Sequence, residues 1–175
     1  MNAIIETHRL FLRQFIYGDA SELFSLNNDP DVVKYTGDKP FKDLTEAEHF
    51  LSNYKYNPIP SSPEIPVGRW AMIRKTDNQF IGWCGLKHLE SLNETDLGFR
   101  LHKKYWGLGY ATEAGIACLN FGFRNLKITE IVGRAMKENT ASIRVLEKCG
   151  MKYSGEFIFA EHPGVRFIAT ATAKK

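Results

Sequence analysis

The stretch Lys104-Tyr105-Trp106-Gly107-Leu108-Gly109-Tyr110-Ala111-Thr112-Glu113-Ala114 decides how this chain is organised. It follows an alternating apolar run and opens a helical one, which predicts a strand-to-helix turn whose glycines let the backbone approach another group closely. The first N–H groups of a helix lack partners and the helix dipole adds partial positive charge there, so such a turn suits a pyrophosphate. The alternative is a pair of glycines that serves chain geometry alone.

Two familiar phosphate-binding motifs do not fit this turn. A P-loop requires Gly-Lys-Ser/Thr, which is absent here. A dinucleotide fingerprint requires a glycine where Thr112 stands, and it belongs to a repeated strand–helix–strand series instead of the meander predicted below.

Length and composition exclude several classes of protein. The 175 residues suit one domain, residues 1–175. The net charge is only +3 without a long Lys/Arg block, so nucleic acid is not an expected partner, whereas an anionic small ligand is compatible. No apolar run approaches the roughly 20 residues of a membrane span, and the N-terminus lacks the features of a secretory signal. We therefore expect a cytoplasmic protein without a membrane partner.

The three cysteines are Cys84, Cys118 and Cys149, an odd number, far apart and without a Cys-x-x-Cys pair. This argues against a disulfide framework or a structural zinc site. Each lies in an apolar setting, so we expect reduced core residues, no catalytic cysteine and no metal.

The N-terminal third predicts one strand and two short helices. Residues 8–13 alternate as a strand does. Asp19-Ala20-Ser21-Glu22 has capping-box spacing and predicts a helix over 19–27, which Asn28-Asp29-Pro30 ends. A second box, Thr45-Glu46-Ala47-Glu48, predicts another helix start.

The middle of the chain predicts a loop and then an antiparallel meander. Residues 57–66 contain four of the seven prolines, which predicts a loop without a sheet ladder. The apolar runs 69–74, 79–86 and 95–101 predict three consecutive strands.

The remainder predicts helices alternating with strands. Small residues along one side of the helix after the glycine turn let it lie close to a sheet, and strand 128–135 then follows by a parallel crossover. Asn139 caps the next helix and Gly150 ends it. Runs 152–159 and 165–173 complete the prediction, the second as a strand inserted into the sheet.

These motifs together resemble a known family. Lys104-x-x-Gly107-x-Gly109-x-Ala111, followed by Asn139-x-x-Ser142 and by Val145-Leu146-Glu147-Lys148-x-Gly150, resembles the GNAT superfamily of acyl-CoA-dependent N-acetyltransferases. Within it, Thr7-His8-Arg9-Leu10-Phe11-Leu12-Arg13 is similar to the opening strand of the RimJ/RimL-type branch. Lys104 departs from the Gln or Arg that the superfamily usually has. The resemblance implies an α/β fold whose central, mixed, mostly antiparallel twisted sheet is flanked by about four helices.

The resemblance also implies the cofactor and its site. Acetyl-CoA is expected as co-substrate in a gap between the strand before the turn and the strand near 131–134, with its pyrophosphate on the amides of residues 104–109. The implied cofactor-binding residues are Leu101, Lys104, Trp106, Gly107, Leu108, Gly109, Ala111, Thr112, Asn139 and Ser142.

Direct acyl transfer needs a base for the acceptor, a donor to the developing oxyanion and an acid for the leaving thiolate. The resemblance implies Ser142 as the acid and Asn139 as a contact of the pantetheine arm, although both would also fit an ordinary helix start. For the base, the resemblance implies either Glu161 or one of Asp96 and its neighbour Glu94, and each would otherwise be a solvated charge. The amide of Ala135 or Met136 is the expected donor to the acyl oxygen.

The acceptor is expected to be a primary amine, either a peptide N-terminus or a small molecule. Deprotonating the acceptor's ammonium group at pH 7 costs about 1 kcal/mol for an α-amine and about 4.6 kcal/mol for a lysine. This difference modestly favours α-amines as acceptors. Two other hypotheses stay open, a non-catalytic acyl-CoA-binding module on the same fold and a dinucleotide-binding enzyme. The sequence leaves a monomer and a homodimer equally open.

Overall fold

The computed structural model describes residues 2–159 and 161–171. We number its strands in chain order: β1 Ile5–Glu6, β2 Leu10–Arg13, β3 Asn57–Ile59, β4 Ser62–Val67, β5 Arg69–Arg74, β6 Phe80–Leu89, β7 Glu94–Leu101, β8 Glu130–Met136, β9 Lys152–Phe159 and β10 His162–Thr170. The α-helices are α1 Ala20–Asn28, α2 Pro30–Val33, α3 Leu44–Asn53, α4 Tyr110–Arg124 and α5 Thr140–Lys148.

Eight strands form one sheet in the order β1-β2-β5-β6-β7-β8-β10-β9, and β3 pairs with β4 separately. Every recorded pairing is antiparallel except that of β7 with β8. This confirms the meander β5–β6–β7, the parallel crossover through α4 and the insertion of the last strand, because β10 lies between β8 and β9. The part of that last prediction beyond residue 171 lies outside the described residues.

The two faces of the sheet carry separate apolar clusters. Along β5, Trp70 and Met72 join the cluster packed under α4, whereas Ala71 and Ile73 join the cluster under α1. This alternation is the period-two pattern of a strand covered on both faces. The sheet is therefore the middle layer, and α4 and α1 lie on opposite sides of it.

Small residues bring α4 close to its neighbours, as predicted. A Cβ on Gly122 would lie 2.6 Å from Ile131 Cδ1, and a Cβ on Gly115 would lie 2.7 Å from Cys149 Sγ. A side chain at either position would force these neighbouring side chains to move.

Both predicted capping boxes are wrong in detail. Asp19 makes no cap hydrogen bond to α1, because its carboxylate accepts from both Arg13 Nη atoms at 2.7 Å and from the Ile16 amide at 2.9 Å. The other helix, α3, begins at Leu44 with Asp43 as its cap, so the start predicted at Thr45 falls too late. In α1, the buried Arg13 takes the Asp19 carboxylate that the local pattern assigns to the cap. In α3, Asp43 caps the helix two residues before the predicted start.

The proline-rich segment is not a simple loop, which corrects the prediction for residues 57–66. It forms the β3–β4 hairpin through the pairs Asn57–Val67 and Ile59–Ser62. Neither recorded pair involves a proline, so no ladder position loses its donor. Buried Ile59 and Val67 hold the hairpin on the main core.

The expected placement of the cysteines in the core holds for Cys84 and Cys118, whereas Cys149 is only half-buried. Cys84 and Cys118 are buried with their sulfur atoms 3.7 Å apart. Burial raises the pKa of the Cys149 thiol to about 12, which keeps it protonated and unreactive at neutral pH. Among the described helices, none combines the length and apolar character of a membrane span.

Candidate active site

A gap opens between the two parallel strands at the centre of the sheet. The pairing of β7 with β8 is confined to Asp96–Val132 and Leu97–Gly133. Beyond these pairs β7 continues to Leu101 and β8 to Met136, while each remains paired with its outer neighbour, β6 or β10. The strands therefore separate toward their C-terminal ends, and one edge of each faces the gap.

The registers show which backbone groups face this gap. The His102 amide donates to Ile81 O at 3.1 Å, on the β6 side, so alternation turns the N–H and C=O groups of Phe99 and Leu101 toward β8. The Lys137 amide donates to Pro163 O at 2.9 Å, on the β10 side, so the Met136 amide faces β7. Of the two amides proposed from the sequence, Met136 faces the gap and Ala135 faces β10.

The glycine turn lies where β7 ends and α4 begins. Gly107 and Gly109 have φ of 74° and 81°, which L-residues with side chains rarely adopt. The expected set of amides at 104–109 is corrected, because those of Tyr105 and Trp106 donate to His102 O and Lys103 O, whereas among the described residues the amides of 107–112 have no protein acceptor. The first bond of the helix runs from the Glu113 amide to Gly109 O at 3.0 Å. The turn thus presents consecutive unpaired N–H groups at the positive end of a 15-residue helix.

The start of the chain holds this turn in place. Glu113 Oε1 accepts from Thr7 Oγ1 at 2.6 Å and from the Arg9 amide at 2.8 Å, and Oε2 accepts from Arg9 Nε at 2.6 Å. Arg9 Nη1 also donates to Leu108 O at 2.9 Å. Burial acts to raise the pKa of Glu113, but these hydrogen bonds outweigh it and lower the pKa below its usual value.

This contact was missed from the sequence. Thr7, Arg9 and Glu113 all lie in the segments that resemble the family, yet nothing in their spacing shows that residues over 100 positions apart meet. Covariation among relatives is the kind of signal that would find it.

The other implied cofactor-binding residues occupy the turn and its edges. Trp106 and Leu108 are 45% and 52% exposed, and Trp106 Nε1 donates to Leu101 O at 2.8 Å. The Leu101 side chain is buried, so only its backbone borders the gap. Lys104 is exposed, with its amine over the Tyr105 ring. Ala111 and Thr112 are half-buried in the first turn of α4.

Asn139 and Ser142 begin α5 directly after β8. Asn139 Oδ1 accepts from the Ser142 amide at 3.1 Å, which confirms Asn139 as the helix cap. The half-buried Ser142 makes no side-chain hydrogen bond to another described residue, so its hydroxyl is available. Since β7 and β8 are parallel, the start of α5 and the glycine turn lie at the same end of the sheet.

The β9–β10 turn comes to this end as well. Gly164 pairs with Met136, and Pro163 O accepts from the Lys137 amide. Glu161 is exposed in this turn, with φ of 69°, and accepts no hydrogen bond from a described residue. The fold thus brings Ser142 and Glu161 to one end of the sheet although they lie on separate elements.

Comparisons with known proteins agree with this geometry. The family model described as acetyltransferase (GNAT) domain matches residues 9–152, most of the chain. This chain belongs to the GNAT acetyltransferase family.

Among its GNAT relatives is uncharacterized N-acetyltransferase p20 of Bacillus licheniformis, 31% identical over 150 residues that cover 85% of this chain and 82% of p20. A solved GNAT acetyltransferase from Bacillus anthracis has a TM-score of 0.82 at 24% identity, covering 95% of this chain and 98% of that one. Spermidine N-acetyltransferase from Vibrio cholerae, solved with CoA and spermine, has a TM-score of 0.77 at 18% identity, covering 94% and 97%. These two structures confirm the predicted fold class, and family membership makes the chain an acyl-CoA-dependent N-acetyltransferase.

The two remaining carboxylates of this GNAT protein are engaged by arginines. Both Asp96 oxygens accept from Arg69 Nη2 at 2.9 Å, and Glu94 accepts from Arg134 and, at 2.8 Å, from Arg166. Asp96 also lies in the paired part of β7, before the gap opens. The structure therefore does not bring Asp96 or Glu94 to the end of the sheet that carries Ser142.

A second group of residues, also missed from the sequence, lines the α1 face beside the gap. The guanidinium of Arg100 lies 5.2 Å from the Trp83 ring centroid, and that of Arg69 lies 5.6 Å from it. The Arg100 side chain is 8% exposed and donates to Asn27 Oδ1 at 2.6 Å and to Asp38 Oδ2 at 2.5 Å. Arg100 thereby ties α1 and the segment after α2 to the gap-lining strand.

Proposed function

We propose that this chain transfers an acetyl group from acetyl-CoA directly to a primary amine, in the manner of the RimJ/RimL-type branch. The observation that supports this most strongly is the convergence of three features at one end of the sheet. These are the gap between β7 and β8, the uncapped start of α4 and the available hydroxyl of Ser142.

The described residues suit the pyrophosphate and the pantetheine arm of the donor. The unpaired amides of 107–112 suit the two charges of a pyrophosphate, and a Cβ on Gly107 would meet no atom within 4 Å, so the turn is open. The N–H and C=O of Phe99 and the N–H of Leu101 suit the amide groups of the pantetheine arm, which can add to this edge as an extra strand would, whereas the Leu101 carbonyl already accepts from Trp106 Nε1. Asn139, at the other side of the gap, contacts the same arm.

The chain's own groups then act on the reacting atoms. Acetyl-CoA supplies an acyl group activated as a thioester. The Met136 amide, directed into the gap, donates a hydrogen bond to the acyl oxygen as negative charge develops there. Ser142 Oγ donates a proton to the sulfur as the carbon–sulfur bond breaks, and it regains a proton from solvent.

Glu161 is the base we propose. Its carboxylate has no described hydrogen-bond partner, whereas the oxygens of Asp96 and Glu94 already accept from arginines. An exposed base acts through solvent, and this suffices for an α-amine, whose deprotonation at pH 7 costs only about 1 kcal/mol. A peptide N-terminus or a small primary amine is therefore the favoured acceptor class.

The acceptor reaches the acyl group from the α1 face. On the other face α4 and α5 pack against the sheet. On the α1 face, Trp83 and Arg100 lie beside the gap. The spermine that accompanies CoA in the Vibrio cholerae enzyme is likewise an amine.

Calorimetry with acetyl-CoA tests the donor, with NADPH as the matched nucleotide control. We expect acetyl-CoA to bind and NADPH not to bind. The absence of both heat and a melting shift at millimolar acetyl-CoA would contradict the proposal. Release of free CoA thiol is then followed over N-terminal peptides, amino acids, polyamines and aminoglycosides. Binding without thiol release above background across this panel would indicate an acyl-CoA-binding module and not an enzyme.

A further inference from the structure

Arg9 reaches the glycine turn although it lies just before the second strand. Its Nε donates to Glu113 Oε2 at 2.6 Å, its Nη1 donates to Leu108 O at 2.9 Å, and its guanidinium carbon lies 4.3 Å from the Tyr110 ring centroid. All three contacts are to the turn or to the first residues of α4. The orientation of the guanidinium is therefore set by the turn itself.

The remaining nitrogen of this guanidinium points along the turn. Arg9 Nη2 donates to no described residue and lies 3.4 Å from the position that a Cβ on Gly109 would occupy. Gly109 is the cap residue of α4, next to the unpaired amides. The Arg9 side chain is 37% exposed, so Nη2 is open to a ligand.

The chemistry of this arrangement suits a phosphate. A guanidinium presents parallel N–H groups that match two oxygens of a phosphate, and its hydrogen bonds to anions are stronger than neutral ones. Glu113 does not compete for the ligand, since both its oxygens already accept from Thr7 and Arg9. Arg9 and Glu113 together have a net charge close to zero. Arg9 therefore contributes to phosphate binding through an oriented hydrogen bond and not through net positive charge.

We propose that Arg9 is a further donor-binding residue, whose Nη2 contacts a phosphate of acetyl-CoA bound at the turn. This rests on the proposed function, because it requires the donor to bind at residues 107–112. It assigns a second task to the segment before β2, which both holds the turn and contacts the ligand.

The test compares ligands that differ in their phosphates. Calorimetry measures the affinities for CoA and 3′,5′-ADP. The affinity for pantetheine, which has no phosphate, is measured by its competition with CoA. We expect Arg9→Gln to weaken CoA and 3′,5′-ADP by about ten-fold or more and to leave pantetheine unchanged. Equal weakening of all three ligands would overturn the proposal, and so would the same selective loss in Thr7→Val, which loosens the contact with Glu113 but keeps Arg9 Nη2.

Lys75→Gln is the matched control. Lys75 Nζ donates to Thr7 O and Glu6 Oε1, both at 2.6 Å, so this variant loosens the same segment without removing a group from the turn. We expect it to bind CoA as the unaltered protein does. A loss equal to that of Arg9→Gln would again overturn the proposal.

Two further measurements keep the outcomes distinct. Should Arg9→Gln fail to fold, Arg9→Lys retains the charge but lacks Nη2, and the same selective loss for phosphate-bearing ligands is expected. If the unaltered protein binds no CoA, the proposed function and this inference both fall. If it binds CoA and the Arg9 variants bind equally well, only this inference falls.

Discussion

Arg69 and Asp96 form a two-pronged ion pair across the centre of the sheet, with Arg69 Nη2 at 2.9 Å from both carboxylate oxygens. Arg69 Nη1 also donates to Gly85 O at 2.7 Å. A Cβ on Gly98 would lie 2.6 Å from the guanidinium carbon, so the absence of a side chain there admits the arginine. The pair thus fastens β5, β6 and β7 together just before the gap opens.

Asp96→Asn is expected to act on stability. Both partners are only about 15% exposed, and removing one charge leaves the other poorly compensated, so we expect a loss of about 2 kcal/mol in the free energy of unfolding. Urea denaturation measures it. The pH profile of turnover should keep its shape, and loss of the acidic limb in this variant would instead identify Asp96 as the base.

Glu161→Gln is expected to show the opposite behaviour. The side chain is exposed and accepts no hydrogen bond from a described residue, so unfolding should change by less than about 0.5 kcal/mol. Turnover should fall by about 100-fold at neutral pH and recover partly as the pH rises toward the pKa of the acceptor. A pH–rate profile measures this, and an unaltered profile would remove Glu161 from the mechanism.

Ser142→Ala is expected to lower turnover by about 100-fold with little change in the affinity for acetyl-CoA. The cap on α5 remains, since Asn139 accepts from the backbone amide of residue 142 and not from its hydroxyl. Steady-state kinetics and calorimetry together separate the two effects. Normal turnover in this variant would show that another group protonates the thiolate.

Gly107→Ala tests the conformation of the turn without a steric clash. A Cβ there meets nothing within 4 Å, but φ of 74° is left-handed and costs about 1–2 kcal/mol for a residue with a side chain. We expect acetyl-CoA affinity to fall because relaxation of the turn misaligns its amides. Gly18→Ala is the control, since its Cβ would have only an ordinary contact at 3.9 Å.

Glu113→Gln tests whether the charge of Glu113 stabilises its contact with Thr7 and Arg9, through the pH dependence of stability. The pKa of Glu113 is lowered in the fold, so its stabilisation is present above its usual value of 4.5 and is lost as the pH falls below that value. At pH 7 we expect the variant to be less stable by about 2 kcal/mol, because a charged acceptor of three hydrogen bonds is lost. The difference from the unaltered protein should shrink in melts below about pH 4. A difference that does not depend on pH would contradict this origin.

The sequence by itself determined the local features of this protein. Periodicity marked the strands of the meander, Asn139 and Gly150 marked the ends of α5, and the two glycines marked the turn before α4. Such signals are readable because they depend on neighbours within a few residues. The motif pair at Gly107–Gly109 and Asn139–Ser142 also indicated the family that the comparisons confirmed.

Only the tertiary structure decided which distant groups meet. It showed that Thr7 and Arg9 hold Glu113 and that Arg69 occupies Asp96, and it turned Asp19 from a helix cap into the partner of Arg13. The opening between β7 and β8 is likewise a property of two strands whose registers are set by their outer neighbours. The physical reason is that local pattern fixes backbone conformation, whereas the state of a charge depends on contacts between segments far apart in the chain.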